Sequence, residues 1–331
     1  MTVKAVAVCG SDIHAARGSW GGDLPVVLGH EAAGAVVALG AGVTGLAVGD
    51  HVVVSLLRNC QTCFFCAQGQ SQLCEHPWAL NTEHRIHSSN GTPVHQGLSV
   101  GAFAEEVVVH QQQCVVLPDD IPFASASLLA CGVITGYGAV TNTAAVEPGA
   151  SVVVIGAGGV GLNSVQAAAA AEASLVIALD TAPEKLEVAK LFGATDALDA
   201  TDPGVTAQVL GLTGGRGPDY VFVTAGSPRA IEQGLEIVRK AGTLVVVGMG
   251  ATDTFARIKL GEFASSERRI LGSKMGGSDL QRDVPALIAR YQQRDLLLEE
   301  LITRRFALEE INEAIAGVGL GSTLRNVVVF E

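Results

Sequence analysis

The chain has 331 residues, 48% of them hydrophobic, and a net charge of −12. That length and apolar share fit two domains with sizeable cores better than one. The acidic balance argues against a nucleic-acid partner. The start, MTVKAVAVCGSD, lacks the charged and apolar regions of a signal peptide. The apolar run from Ala167 to Leu179 is interrupted by Glu172 and is too short to cross a bilayer. The expectation is a cytoplasmic protein with reduced thiols and no membrane partner.

In chain order, the first 130 or so residues carry short alternating runs with glycine turns, such as AGAVVALGAGV, GDHVVVSLL and GAFAEEVVVH. They predict an all-β, barrel-like domain. Inside it, Asn59 to His76 reads NCQTCFFCAQGQSQLCEH and holds four of the seven cysteines: Cys60, Cys63, Cys66 and Cys74. In a reducing compartment such a cluster points to metal more than to disulfides. Two steps of three residues let three thiolates converge, and the fourth returns to close a tetrahedron. The pattern predicts a closed, structural zinc site, with Glu75 and His76 as flanking residues. Two disulfides or four idle thiols are the plainer alternatives.

From Glu147 the texture changes to alternating strands and helices, which predicts a parallel, doubly wound α/β sheet. A fully apolar strand, Ser151 to Ile155, runs into Gly156-Ala157-Gly158-Gly159-Val160-Gly161 and then a helix. Glycines in that context let the backbone approach a pyrophosphate at the helix N-terminus. Asp180 ends the next strand, LVIALD, where a carboxylate can bond ribose hydroxyls. No arginine follows to receive a 2′-phosphate, so NAD is favoured over NADP. Two helical stretches, VPALIARYQQRDL and ALEEINEAIAGVGLG, come next, and a last strand, LRNVVVF, is expected to return to the first domain.

Cys9, Cys114 and Cys131 remain, and His30 lies in a Gly-flanked loop. Taken singly, each reads as a buried thiol or a core histidine. Beside a nucleotide fold, Cys9, His30 and Cys131 supply the three ligands of a zinc site with one open position.

With VCGSDIH, LGHEAAG, the C-x2-C-x2-C-x7-C loop, LLACGVITGYGA, VIGAGGVGLN, Asp180 and LRNVVVF in this order, the chain resembles the zinc-dependent medium-chain alcohol dehydrogenases, most nearly their alcohol and formaldehyde dehydrogenase branch. The resemblance implies a GroES-like catalytic domain over 1–132 and 276–331, with the zinc loop at 59–76. A Rossmann NAD-binding domain would occupy 133–275. It implies two zinc ions per chain, NAD, a small alcohol or aldehyde as substrate, and a homodimer or homotetramer. Ser11 would take the proton from the alcohol and His14 would pass it to solvent. Asp12 would hold His30, and Glu31 would assist ligand exchange at the zinc. Lys185 would contact the adenosine ribose and Arg325 the pyrophosphate. Val247, Ser273 and Met275 match backbone positions around the nicotinamide amide.

Three features depart from the pattern. Gly10 stands where several relatives have a basic residue, which removes one pyrophosphate contact. Gly18 and Trp20 occupy a segment that is acidic in glutathione-using members, and Trp20 is expected to wall an apolar pocket. Only eight residues precede Cys9, so an initial hairpin is missing and a sheet edge is expected to lie uncovered. The expected function is hydride transfer between an apolar primary alcohol and NAD. The rival readings are a thiol-adduct dehydrogenase for formaldehyde with a carrier other than glutathione, and a catalytically silent NAD-binding protein.

Overall fold

The structure is a computed structural model that describes residues 1–318 and 321–331. The chain divides into two compact units, Met1–Ile134 with Ser278–Glu331, and Thr135–Gly277.

In the first unit six strands form the main sheet, in the order Ile302–Phe306, Arg325–Val329, Thr2–Ala7, Ala32–Ala35, His51–Val54 and Cys114–Val116. The first pair is parallel and the rest are antiparallel. Val3, Val6, Val52 and Val54 point from these strands into one core with Val100, Ala102 and Val107. β-Branched side chains suit that pleated, half-covered surface. Each valine so buried contributes about 1.5–3 kcal/mol.

The terminal strand returns as expected, with Val6 opposite Val328. The uncovered edge expected at the start of the chain is not found along Thr2–Ala7. One side pairs with Ala32–Ala35. The other is shared: Ala5 to Ala7 face Val329 to Val327, while the Val3 amide donates to Glu105 and the Val107 amide to Met1.

Valine and glycine texture concealed the short helices in the first 130 residues of this unit, while the two helical stretches expected near the C-terminus are present at Leu280–Gln292 and Ile311–Ala316. VCGSDIH leaves the strand and opens a helix, Gly10–Ala16. The longest helix here is Leu280–Gln292, N-capped by Asp279, whose carboxylate accepts from the Gln281 and Arg282 amides. It buries Leu280, Val284, Leu287 and Ile288, the spacing of one apolar stripe.

The second unit is a six-stranded sheet, parallel throughout, in the order Asp196–Asp199, Leu175–Asp180, Ser151–Ile155, Tyr220–Val223, Thr243–Val246 and Arg269–Gly272. The first and fourth strands of this unit are neighbours, so the chain reverses its winding between them. That crevice is where doubly wound sheets bind ligands. The sixth strand, Arg269–Gly272, and the helix Val205–Leu212 carry weak sequence signals. Arg269–Gly272 has one neighbour only, and none of its residues is fully buried, so it needs no apolar run. The helical run Phe123–Thr143 is long and apolar enough to cross a membrane, yet 89% of its most apolar window is buried inside the protein.

Candidate functional site

The four cysteines of the 59–76 loop converge, with their sulfurs within 4.8 Å of one another. Gln61 takes a left-handed φ of 62°, which folds the chain back so that the Cys63 amide donates to the Cys60 sulfur at 3.2 Å. The Thr62 hydroxyl donates to the same sulfur at 3.6 Å. The Thr62 hydroxyl and these backbone donors hold the Cys60 thiol down to about 5. A short helix, Phe64–Ala67, carries Cys66, and a tight turn, Ser71–Leu73, delivers Cys74. Amide donors aimed at sulfur stabilise thiolate over thiol. Burial pushes the Cys66 thiol the other way, up to about 12. Four sulfurs in reach of one point suit a tetrahedral zinc.

A second cluster forms from segments far apart in sequence. Ligand atoms of Cys9, His30, Glu31 and Cys131 lie within 4.8 Å of one another, and all four residues are buried. Asp12 organises two of the segments. One carboxylate oxygen accepts the Cys9 amide at 3.0 Å; the other accepts the Gly29 amide at 3.0 Å and faces His30 Nδ1 at 3.1 Å. Among the described residues His30 Nε2 is buried with no hydrogen-bond partner. A buried, unpartnered imidazole nitrogen beside two thiols fits a metal ligand, and a carboxylate on its other nitrogen is the usual support. Cys9 is held well below its ordinary value, chiefly by the Cys131 thiol, and Cys131 is pushed up in turn. Burial pushes Glu31 up to about 7, against the pull of Arg325. Its carboxylate accepts the Gly132 amide at 3.1 Å and the Arg325 guanidinium. Arg325, expected at the pyrophosphate, is buried in the first unit and paired with Glu31.

Ser11 and His14 sit one turn apart on the helix Gly10–Ala16, a spacing that puts them on one face. The His14 ring stacks on Trp20, with centroids 5.0 Å apart and planes 17° from parallel. The indole expected to wall a pocket therefore also has one face against the expected proton carrier.

In the second unit the strand Ser151–Ile155 ends in Gly156, whose φ of +100° suits only glycine. A side chain at Gly161 would meet the Gly156 carbonyl at 1.7 Å, so helix and turn pack directly. The helix Gly159–Ala170 begins after Gly158 with no side-chain cap, and a Cβ at Gly158 would meet nothing within 4 Å. Its first amides, around Gly159 and Val160, and an open approach fit a pyrophosphate. Asp180 closes the turn: its carboxylate accepts the Ala157 amide at 2.6 Å and the Ala182 amide at 2.9 Å. Lys185 is half-buried on the next helix, Pro183–Leu191. Val247 directly follows the fifth strand, and its amide donates to the Val223 carbonyl. The Ser273 hydroxyl bonds Thr143 at 2.8 Å, and Met275 opens three successive residues with positive φ.

Two family models match the chain: an alcohol dehydrogenase GroES-like domain over residues 1–119 and a zinc-binding dehydrogenase over residues 159–293. An NDMA-dependent alcohol dehydrogenase of Amycolatopsis methanolica is 34% identical, over 98% of this chain and 90% of its own. A fission-yeast (Schizosaccharomyces pombe) protein described as a probable S-(hydroxymethyl)glutathione dehydrogenase is 35% identical, over 97% of this chain and 87% of its own. The crystal structure of benzyl alcohol dehydrogenase from Acinetobacter calcoaceticus superposes with a TM-score of 0.92 at 30% identity, over 100% of this chain and 91% of that one.

The chain belongs to the zinc-dependent medium-chain alcohol dehydrogenase family.

Membership gives the two halves their names, a GroES-like unit and a Rossmann unit, and makes the protein an oxidoreductase. It does not account for every residue at these sites. Thr224 escaped the sequence reading, yet its hydroxyl donates to the Gly156 carbonyl at 2.8 Å and braces the glycine turn. Its position just past the strand Tyr220–Val223 is the signal that marks it, because that strand neighbours the glycine turn.

Proposed function

We propose that this dehydrogenase moves a hydride between an apolar primary alcohol, or its aldehyde, and NAD, with one zinc at Cys9, His30 and Cys131 and another at the four-cysteine loop. The observation that carries the reading is the buried Cys9, His30 and Cys131 cluster, with Asp12 on one side of His30 and an unpartnered nitrogen on the other. When bound, zinc would polarise the substrate oxygen and NAD would accept or return the hydride.

The chain's own residues do the rest. Asp12 fixes Cys9 and His30 in register, which sets the geometry of the ligand set. Ser11 and His14 move a proton outward along one helix face, which prevents charge from accumulating in a buried site. Glu31 adds a carboxylate at the same point, and Arg325 and Gly132 orient it. Asp180 favours NAD, because its charge would repel a 2′-phosphate; Lys185 would contact the ribose, and the backbone at Val247, Ser273 and Met275 the nicotinamide amide.

The name of the benzyl alcohol dehydrogenase supports an apolar substrate. The fission-yeast relative supports the second reading, a formaldehyde–thiol adduct. Here Gly18 and Trp20 replace the acidic residues that would receive glutathione. Seven free thiols support a cytoplasmic location. Exposed Met249, Phe255 and Leu260, in the segment leading to the edge strand Arg269–Gly272, support a homodimer, of which a homotetramer would be the next assembly.

The test is a substrate panel on zinc-loaded protein, with NAD and NADP in parallel. Benzyl alcohol with NAD should give the highest kcat/KM, and formaldehyde with glutathione little. A preference for NADP would overturn the cofactor assignment. Oxidation of formaldehyde adducts alone would install the second reading.

A further inference from the structure

The helix Gly10–Ala16, N-capped by Cys9, ends in a stop built partly on His14. Arg17 stands at its C-cap, and Gly18 takes a left-handed φ of +67°, which glycine adopts at no steric cost. The Gly18 amide donates to the Ala15 carbonyl at 3.0 Å, and the Ser19 amide donates to the His14 carbonyl at 2.9 Å. These two bonds satisfy carbonyls of the last turn and send the chain back over it. The residue delivered by that reversal is Trp20. Its ring stacks on His14, with centroids 5.0 Å apart and planes 17° from parallel. Both residues are half-buried, while Arg17 and Gly18 between them, and Gly21 to Pro25 beyond, are exposed. The loop thus runs through solvent and turns its one large ring inward, onto the imidazole.

Such a stack constrains an imidazole without disabling it. The χ2 torsion of histidine is broad and roughly two-fold, so an unsupported ring on a helix surface turns easily. An indole laid against one face opposes that turn. It leaves both ring nitrogens usable, because their protons and lone pairs lie in the ring plane and point away from the stack. An apolar pocket wall requires none of this: a leucine would serve, with no need for parallel planes.

We propose that Trp20 is a positioning residue for proton transfer: its indole clamps the His14 ring in the orientation that receives a proton from the direction of Ser11 and yields one to solvent. The inference rests on the reading of His14 as the proton carrier, and goes beyond it in naming what holds the ring. Over one turnover the imidazole gains one proton and gives one to water or a buffer base, so its charge is restored. Trp20 touches neither proton and acts only through His14. Gly18 and the helix stop are the means by which the sequence brings the indole there.

The experiment measures single-turnover rates of NADH formation on the zinc-loaded full chain, at saturating NAD and benzyl alcohol. Trp20→Leu keeps an apolar wall and removes the stack. It should slow the reaction about tenfold and raise its solvent deuterium isotope effect, and imidazole added to the buffer should restore most of the loss. Trp20→Phe can still stack and should lose less than about threefold. In a His14→Gln background, Trp20→Leu should change the rate by less than about twofold, because the indole has nothing left to hold. A pocket wall would instead raise the alcohol concentration for half-saturation, equally with and without His14. The contact is read separately, in metal-free protein, by fluorescence. Trp78→Phe leaves Trp20 as the one remaining tryptophan of two, and His14→Gln should then change its emission. Additive losses, a loss that imidazole does not restore, or an emission blind to His14 would overturn the proposal. A slow His14→Gln beside an unaffected Trp20→Leu fails the proposal alone. A His14→Gln variant as fast as wild type fails the relay reading first, and the proposal falls with it.

Discussion

The two cysteine clusters are built in opposite ways. The four sulfurs at residues 60 to 74 converge through short local turns: a left-handed Gln61, one turn of helix and a tight turn. Cys9, His30, Glu31 and Cys131 come from three segments up to 122 residues apart and are held by Asp12, Gly132 and Arg325. One site lies in a partly exposed loop, the other entirely in the interior. On the proposed reading, the loop would depend on metal to hold its shape, whereas the buried site is tied together by hydrogen bonds between distant segments. The first would then serve the fold and the second chemistry.

That contrast is open to attack from either side. The largest effect should follow Cys63→Ser, which removes a ligand that the loop cannot replace. The melting temperature should fall by roughly 10 °C or more, because structural zinc supplies folding free energy directly. A chelator should reproduce the fall in the wild-type protein. If neither change moves the melting temperature, the loop does not depend on metal and the contrast collapses.

Cys131→Ser probes the other side. Turnover should drop at least about a thousandfold, while the melting temperature moves by no more than about 2 °C. A large loss of stability would mean that the buried cluster is structural as well.

Asp12→Asn sharpens the comparison, because it leaves all ligands in place. Affinity for the buried zinc should fall about tenfold to a hundredfold, and turnover should recover as zinc is added back. Loop zinc, counted in the same sample, should be unaffected.

The smallest effect is a control in the Rossmann unit, where charge is balanced without metal. Burial pushes the Asp219 carboxyl up, but hydrogen bonds from the Ser151 hydroxyl and amide, at 2.6 and 2.7 Å, and from Arg239, at 2.6 Å, outweigh it and hold it below the ordinary value. A carboxyl so lowered stabilises the fold above the ordinary aspartate value, near pH 4, and loses that contribution as pH falls through its own lower value. The gap in melting temperature between wild type and Asp219→Asn should be present at pH 7 and close below about pH 4. Chelator should not alter it. A chelator-dependent gap would show that the two units are not independent in this respect.

Much of this molecule was legible before any coordinate. The loop could be read because thiolates three residues apart have few other uses in a reducing compartment. The glycine turn could be read because an apolar strand before it and a helix after it leave little else for Gly156 and Gly161 to do. Asp12 and His30 were nameable as partners only through the family resemblance, since nothing local in SDIH or LGHE joins them. Arg269–Gly272 was missed because an edge strand buries little and so carries no apolar run.

The sequence by itself determined the elements whose cause is local: the strand periodicities, the left-handed glycine, the spacing of the four cysteines and the acid that ends LVIALD. Only the tertiary structure decided which distant groups share a buried point. It paired Arg325 with Glu31 and stacked His14 on Trp20. The physical reason is that local geometry follows from backbone sterics over a few residues. The partner of a buried charge or ring is settled only when the sheets close, because then water no longer competes for it and each polar group must find its balance among whatever the fold has brought within reach.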